Sequence, residues 1–449
     1  MKPYPEYNNS GISWLGKIPK HWKAKRLKYV AQANQEALPE STANDYEFNY
    51  VDIGNVGLEE GIKLGERINF AKAPSRARRI VRNGDTIVST VRTYLKAVAH
   101  IDFEPKDIVC STGFAVISPG AVIVPKFLYY ILRSEKIIDR VEALSVGVSY
   151  PAINASELMG IAAWYPPSLD EQKNIADYLD RKTAQIDDLI SKKEKLIELL
   201  KEERAAIINQ AVTKGLDPKA ELKNSGLPWL GKIPKHWKVK RLKYLLKNKK
   251  GALKTGPFGS QLKHSDMQGA DIKVYTQRSV MDNDFDSAEL YISNDKFIEL
   301  SEFEIFPQDI LLTTRGTIGK CAIFPNGKDK GILHPCLIRV QLNQNIISNM
   351  FAQFYMKESS AFLESINHNS NATTIAVIYG ETLREVVFVV PDRNEQNKIV
   401  DFLNHKTQQI DTQIVNEKKS VEYLVEYRST LISEVVTGKI DVRNNHDSD

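Results

Sequence analysis

Residues 9 to 29 read NSGISWLGKIPKHWKAKRLKY, and residues 224 to 244 read NSGLPWLGKIPKHWKVKRLKY, the same stretch at an offset of 215. The copies differ only at Ile12/Leu227, Ser13/Pro228 and Ala24/Val239. Agreement at 18 of 21 positions lies outside chance, so the chain is an internal duplication. A period this long implies two repeated domains, not a solenoid of short units.

A second repeated element follows at an offset of 224. Residues 171 to 213 align without a gap to residues 395 to 437, with 19 identities in 43 positions. Two series at seven-residue spacing run through the first copy: Leu179, Ile186, Lys193, Leu200, Ile207 and Thr183, Ile190, Ile197, Arg204, Ala211. Their partners are Leu403, Ile410, Glu417, Leu424, Leu431 and Thr407, Ile414, Val421, Arg428, Val435. Interleaved by four and three, these form a heptad seam uninterrupted by Gly or Pro. Each segment is expected to be one helix, about 65 Å long at 1.5 Å per residue. A helix of that length cannot hide its stripe on a small domain, so the two copies are expected to bury their seams against each other. Gly215 and Pro218 in the linker Lys214 to Lys223 end the first helix and let the second copy begin. The linker is too short to carry the chain back, which implies antiparallel pairing about a pseudo-twofold axis, with Lys193 and Glu417 meeting as an ion pair at its centre.

The regions between the repeats are variable. From about 32 to 165 the sequence shows short strand-like runs, Phe48 to Ile53, Thr86 to Val91, Ala97 to Ile101 and Phe114 to Ser118, punctuated by Gly and Pro. Helical periodicity returns near Phe127 to Val141. Residues 247 to 390 have similar texture with different residues, although Asp85 to Arg92 (DTIVSTVR) has a counterpart in Asp309 to Arg315 (DILLTTR). The fold class that follows is α+β: two pseudo-twofold-related mixed α/β domains separated by an antiparallel coiled coil. The boundaries read as domain 1 over 1–168, long helix 1 over 169–214, domain 2 over 215–392, long helix 2 over 393–440 and a flexible tail over 441–449. A short helix is expected after Pro19 on the spacing of Trp22, Leu27 and Val30. Trp14 and Trp22 read as core anchors, and His21 and His236, with no carboxylate at ligand spacing, as structural.

Composition bounds the function. The 449 residues hold 61 Lys and Arg against 56 Asp and Glu, a net charge of only +5, so charge distribution has to decide any nucleic-acid role. Cys110, Cys321 and Cys336 have neither disulfide-framework nor zinc spacing, and no metal site is expected. The amino terminus lacks an apolar h-region and no run approaches the ~18 apolar residues of a membrane span, so a cytoplasmic protein without a membrane partner is expected. Gly251 to Gly256 resembles a phosphate loop, but Pro257 and Phe258 stand where Lys and Ser or Thr are needed. GxGxxG, HExxH and GxSxG are absent, so no catalytic residue is assigned.

Basic residues cluster inside the variable regions. Lys72, Arg76, Arg78, Arg79 and Arg82 occur without an acid between them, as do Lys247, Lys249, Lys250, Lys254 and Lys263. Each cluster fits either phosphate contact or a solvated basic face. Arg92 and Tyr94, in Ser89 to Tyr94, and Thr314 and Arg315, in Thr313 to Thr317, set arginines among short polar side chains, a setting suited to reading base edges. Arg278 and Lys320 complete the DNA-contact candidates.

Two variable domains, each opened by WLGxIPxHW (Trp14 to Trp22, Trp229 to Trp237) and closed by E-Q-x-x-I-x-D-x-L (Glu171 to Leu179, Glu395 to Leu403) with Val212 to Gly215 or Val436 to Asp441 at the helix end, resemble the specificity subunit of type I restriction-modification enzymes. The resemblance implies two target recognition domains, each reading half of a split double-stranded DNA sequence. It also implies that the helices space the halves and dock two methyltransferase subunits, with restriction subunits added. S-adenosylmethionine, Mg2+ and ATP then belong to those partners, and this chain carries no cofactor. A coiled-coil adaptor that organises proteins without reading DNA is the alternative.

Overall fold

The computed structural model describes residues 2–58, 61–105, 107–287, 289–315, 319–369 and 377–443. They form two units, Met1–Glu194 with Lys418–Asp449, and Lys195–Glu417. The division falls inside both long helices, Leu169–Lys214 and Arg393–Val436.

In the first unit an antiparallel sheet runs in the order Val98–His100, Thr86–Ser89, Phe114–Pro119, Ala31–Ala33. A second sheet runs Arg67–Asn69, Glu47–Val51, Ile108–Ser111, Ala77–Ile80, with Ile108–Ser111 parallel to Glu47–Val51. The strands Thr86–Ser89 and Ile108–Ser111 are buried throughout. Val51, Ile87, Cys110, Phe114 and Val116 share one core cluster that joins the two sheets. The helices Pro125–Leu132 and Glu135–Leu144 pack Phe127, Ile131, Ile137 and Val141 into the main core. The second unit repeats the antiparallel sheet as Leu253–Thr255, Leu337–Val340, Ile310–Thr313, Cys321–Ile323. Its other sheet has three strands, Tyr291–Ile292, Ile272–Tyr275 and Gly331–Leu333, where the first domain has four. One sheet is therefore common framework, and the other is where the domains diverge.

Each domain reaches its long helix through a two-stranded ribbon, Lys23–Arg26 with Ala162–Tyr165 and Lys238–Arg241 with Val387–Val390. The segment after Pro19 is thus a strand followed by a 3-10 turn at Leu27–Tyr29, not the short helix expected from Trp22, Leu27 and Val30. Pairing with Ala162–Tyr165 supplies backbone partners that no local pattern announces. The helical stretch near Phe127 to Val141 is likewise two helices, broken at Arg133 and Ser134. At the other end Asp441 bridges Lys2, Val442 is buried, and the Arg443 guanidinium lies 4.7 Å over the Tyr4 ring. These three residues are packed, not the start of a flexible tail, while 444–449 lie outside the described residues.

The heptad seam is present within each unit. In the first, Leu179 and Ile186 share a core with Leu431 and Val435, and the Arg428 guanidinium pairs with Asp187. In the second, Ile197 and Leu200 pack with Ile410 and Ile414, and Arg204 pairs with Asp411 at 2.9 Å. Early residues of one helix meet late residues of the other, so the pairing is antiparallel, and the two ion pairs are repeat equivalents. Arg204 also holds Glu358 at 2.7 Å, tying the second domain to its helix. Leu179→Ala or Leu403→Ala, each at a fully buried seam position, is expected to cost about 2–5 kcal/mol in urea unfolding. Tyr423→Ala, at a side chain 68% exposed, is expected to stay within about 0.5 kcal/mol.

Candidate nucleic-acid interface

The repeated His-Trp and Glu-Gln dipeptides, far apart in sequence, meet where each domain joins its helix. In the first unit Glu171, in the opening turn of its helix and 9% exposed, accepts from Tyr4 Oη at 2.9 Å and Trp22 Nε1 at 3.1 Å. His21 Nε2 lies 3.0 Å from its other oxygen. In the second, Glu395 Oε2 accepts from Trp237 Nε1 at 2.9 Å and lies 2.7 Å from His236 Nε2. The carboxylate that spacing did not place beside either histidine is brought there by the fold. Burial, and then the Glu171 charge, pushes the Tyr4 phenol well above its ordinary range, so it remains a donor.

The adjacent glutamine does the same work in both units. Gln172 accepts from Val124 N at 2.8 Å and donates to the carbonyls of Val122 and Pro166. Gln396 accepts from Ser348 N at 2.7 Å and donates to Ile346 and Pro391. Each glutamine thereby satisfies three backbone groups of the adjoining loops, buried or part-buried. The returning helix closes the junction with a glycine at positive φ, Gly438 (71°) or Gly215 (77°). A Cβ at Gly438 stands 2.4 Å from Pro19, and one at Gly215 stands 3.2 Å from Trp237.

In the first unit the turn at Thr112 and Gly113 gathers two groups of candidate DNA contacts. Arg76 O accepts from Thr112 N at 2.7 Å, and Gly113 O accepts from Thr90 N at 2.8 Å, so Arg76 and the loop carrying Arg92 flank the turn. Arg76 is exposed, donates to Tyr50 Oη at 3.0 Å and lies 3.5 Å from the Asp52 carboxylate. Arg92 is held in the left-handed region (φ 51°) with its guanidinium 4.9 Å over the Tyr150 ring. Tyr94 is exposed on the same loop. The rest of the cluster spreads out: Lys72 is exposed in a 3-10 turn, Arg78 stacks on Phe70, half-buried Arg79 lies in the strand, and Arg82 pairs with Glu36.

In the second unit the counterpart loop carries Arg315 and Lys320, both exposed. Thr314 is 2% exposed and donates to Cys336 O at 2.9 Å, as Thr90 does to Gly113 O. Its hydroxyl therefore positions Arg315 and does not face outward. Gln277 Nε2 steadies the same loop through Arg315 O at 2.8 Å. Lys250 and Lys263 are exposed. Lys254 is held by Glu302 and Phe303, and Arg278 by Glu289 and Asp282, so these two cations are already neutralised locally. Tyr50, Tyr150 and Gln277 were not legible beforehand, because their roles arise from contacts between loops distant in sequence.

The family model described as type I restriction modification DNA specificity domain matches residues 19–199 and again 234–423. The chain belongs to that family. It is 28% identical over 247 residues to the type I restriction enzyme MjaIX specificity subunit of Methanocaldococcus jannaschii, covering 53% of this chain and 54% of that one. It is 25% identical over 317 residues to the EcoKI specificity subunit of Escherichia coli K12, covering 67% and 62%. The chain thus spans about half to three-fifths of the length of these two relatives. Over nearly full length, 99% and 98%, it is 22% identical to the MjaVIII specificity subunit of M. jannaschii. The fold matches a chain from a type I restriction-modification system at TM-score 0.74 and 20% identity, covering 94% of this chain and 99% of that one. It matches the HsdS subunit of Thermoanaerobacter tengcongensis at TM-score 0.54 and 20% identity, covering 94% and 98%. Among the described residues no helix is long and apolar enough to cross a membrane.

In this family member Glu171→Ala leaves the Tyr4 and Trp22 donors without an acceptor, and is expected to lower stability by about 2–4 kcal/mol in thermal or urea unfolding. Gly438→Ala, strained by both its φ and the approach of Pro19, is expected to destabilise by more than 1 kcal/mol in the same assay.

Proposed function

We propose that this chain is the sequence-specific DNA-binding subunit of a type I restriction-modification complex, each domain reading one half of a split target. The observation that carries this reading is a framework built twice to one plan with different side chains on its outward loops: Arg76, Arg92 and Tyr94 in one domain, Arg315 and Lys320 in the other. Phosphate contacts set register, and arginines among small polar residues read base edges. The long helices hold the second domain at high effective concentration for its half-site. Lys193 and Glu417, repeat equivalents on the two seams, are the charge pair that the sequence implies for the middle of that spacer. Charge reversal at either one is expected to weaken the complex, and the double reversal to restore it in a melting assay.

The same helices dock two methyltransferase subunits, with restriction subunits joining them. Exposed apolar side chains on both helices, among them Leu189, Tyr423 and Tyr427 in the first unit and Leu196 and Leu199 in the second, support such docking. The chain is non-catalytic, works in the cytoplasm, and leaves S-adenosylmethionine, Mg2+ and ATP to its partners. A coiled-coil adaptor that does not touch DNA has no feature in its favour that DNA reading lacks.

Genome-wide mapping of methylated bases with and without the gene tests the function directly, and an unchanged methylation pattern refutes it. One heptad inserted into both helices is expected to alter the gap and leave the half-sites alone. Arg92→Ala is expected to relax one half-site only, by about 1–3 kcal/mol of discrimination at the base it reads.

A further inference from the structure

The repeated stretch holds more identity than its packing requires. Leu15, Ile18, Trp22 and Leu27 are buried, as are their partners Leu230, Ile233, Trp237 and Leu242. That accounts for the apolar positions alone. Lys17, Lys23 and Lys25 are exposed and recur as Lys232, Lys238 and Lys240, of which only Lys240 is half-buried. None of the six has an ion-pair partner among the described residues, and no acid occurs between Lys17 and Tyr29 or between Lys232 and Tyr244. Lys23 and Lys25 alternate with Ala24 and Arg26 along a strand, so both point to one face. The strand pairs on one side only, with Ala162–Tyr165, and a charge on such an edge discourages unwanted pairing. Edge protection needs some charge, not the same lysines in two domains whose other surfaces have diverged. By contrast Arg241 and Lys243 are tied to Glu385, where the first domain has Gly160, so this pairing belongs to one unit although the cations recur as Arg26 and Lys28.

A surface kept identical in two domains that read different sequences meets something the two have in common. Unpaired cations on a stretch that carries no acid select a polyanion with no sequence. We propose that Lys17, Lys23 and Lys25, and equally Lys232, Lys238 and Lys240, grip the DNA phosphate backbone beside each half-site and carry no sequence information. This rests on the DNA-reading function proposed above. It assigns affinity to the repeated element and specificity to the variable loops.

The test uses the chain in complex with its methyltransferase subunits, titrated from 50 to 250 mM salt with a duplex bearing the mapped target and an unrelated duplex. The triple variant Lys17→Gln, Lys23→Gln, Lys25→Gln alters only exposed side chains, and unchanged thermal melting checks its fold. Its plot of log affinity against log salt is expected to flatten by about 2 to 3 units, near 0.9 per lost phosphate contact. Affinity for both duplexes is expected to fall by the same factor, with the methylated sequence unchanged. The matching Lys232, Lys238, Lys240 triple is expected to behave alike, and Lys→Arg at the same positions to keep the parent slope. A parent-like slope in both triples overturns the proposal. So does loss of methyltransferase subunits from the variant complex in mass photometry, which makes the surface a protein interface. A parent complex with no preference for its mapped target instead refutes the DNA-reading function itself.

Discussion

One carboxylate per unit, buried Glu171 or half-buried Glu395, joins a recognition domain to the helix that carries it. It occupies the first turn of a long helix, where the amide ends favour negative charge, and it receives the indole and imidazole of the preceding repeat. Because these acceptors and donors are partly or wholly withdrawn from water, each has to find the other or carry a desolvation penalty. That requirement fixes the entry angle of the domain, and the neighbouring Gln172 or Gln396 fixes the adjoining loop by the same means. The glycine of the returning helix completes the fit by leaving room for Pro19 or Trp237.

With the junction rigid, the rest of each domain is free to differ. The antiparallel sheet repeats with the same strand order, and Thr90 and Thr314 make the same backbone bond at its end. Beyond that point the domains part, with a four-stranded second sheet in one and a three-stranded sheet in the other. Residues that bear the mechanical load are shared, and residues that face outward are not. The lysines of the repeated strand are an exception, exposed except for half-buried Lys240 and yet the same in both copies.

The equivalent ion pairs Arg428 with Asp187 and Arg204 with Asp411 add register to a seam made mostly of aliphatic side chains. Aliphatic heptads tolerate a slip by one repeat more readily than a half-buried guanidinium that loses its carboxylate. Arg204 also engages Glu358 of its domain, so helix register and domain docking are coupled through one side chain in the second unit.

The sequence by itself determined the duplication, the two long helices, their seam and the mixed character of the domains, because these rest on periodicity and identity that need no distant partner. Four strands were legible for the same reason, each being an apolar run bounded by turn residues. The meeting of His21 and Trp22 with Glu171, about 150 positions away, was not legible, since spacing along a chain does not record which side chains converge. The same holds for Lys23–Arg26, a strand only because Ala162–Tyr165 lies beside it. Of the candidate DNA contacts, residue type alone ranked Thr314 and Lys254 with Arg92. Tertiary structure separated them, by burying the Thr314 hydroxyl against Cys336, neutralising Lys254 on Glu302, and holding Arg92 over Tyr150 at an exposed turn.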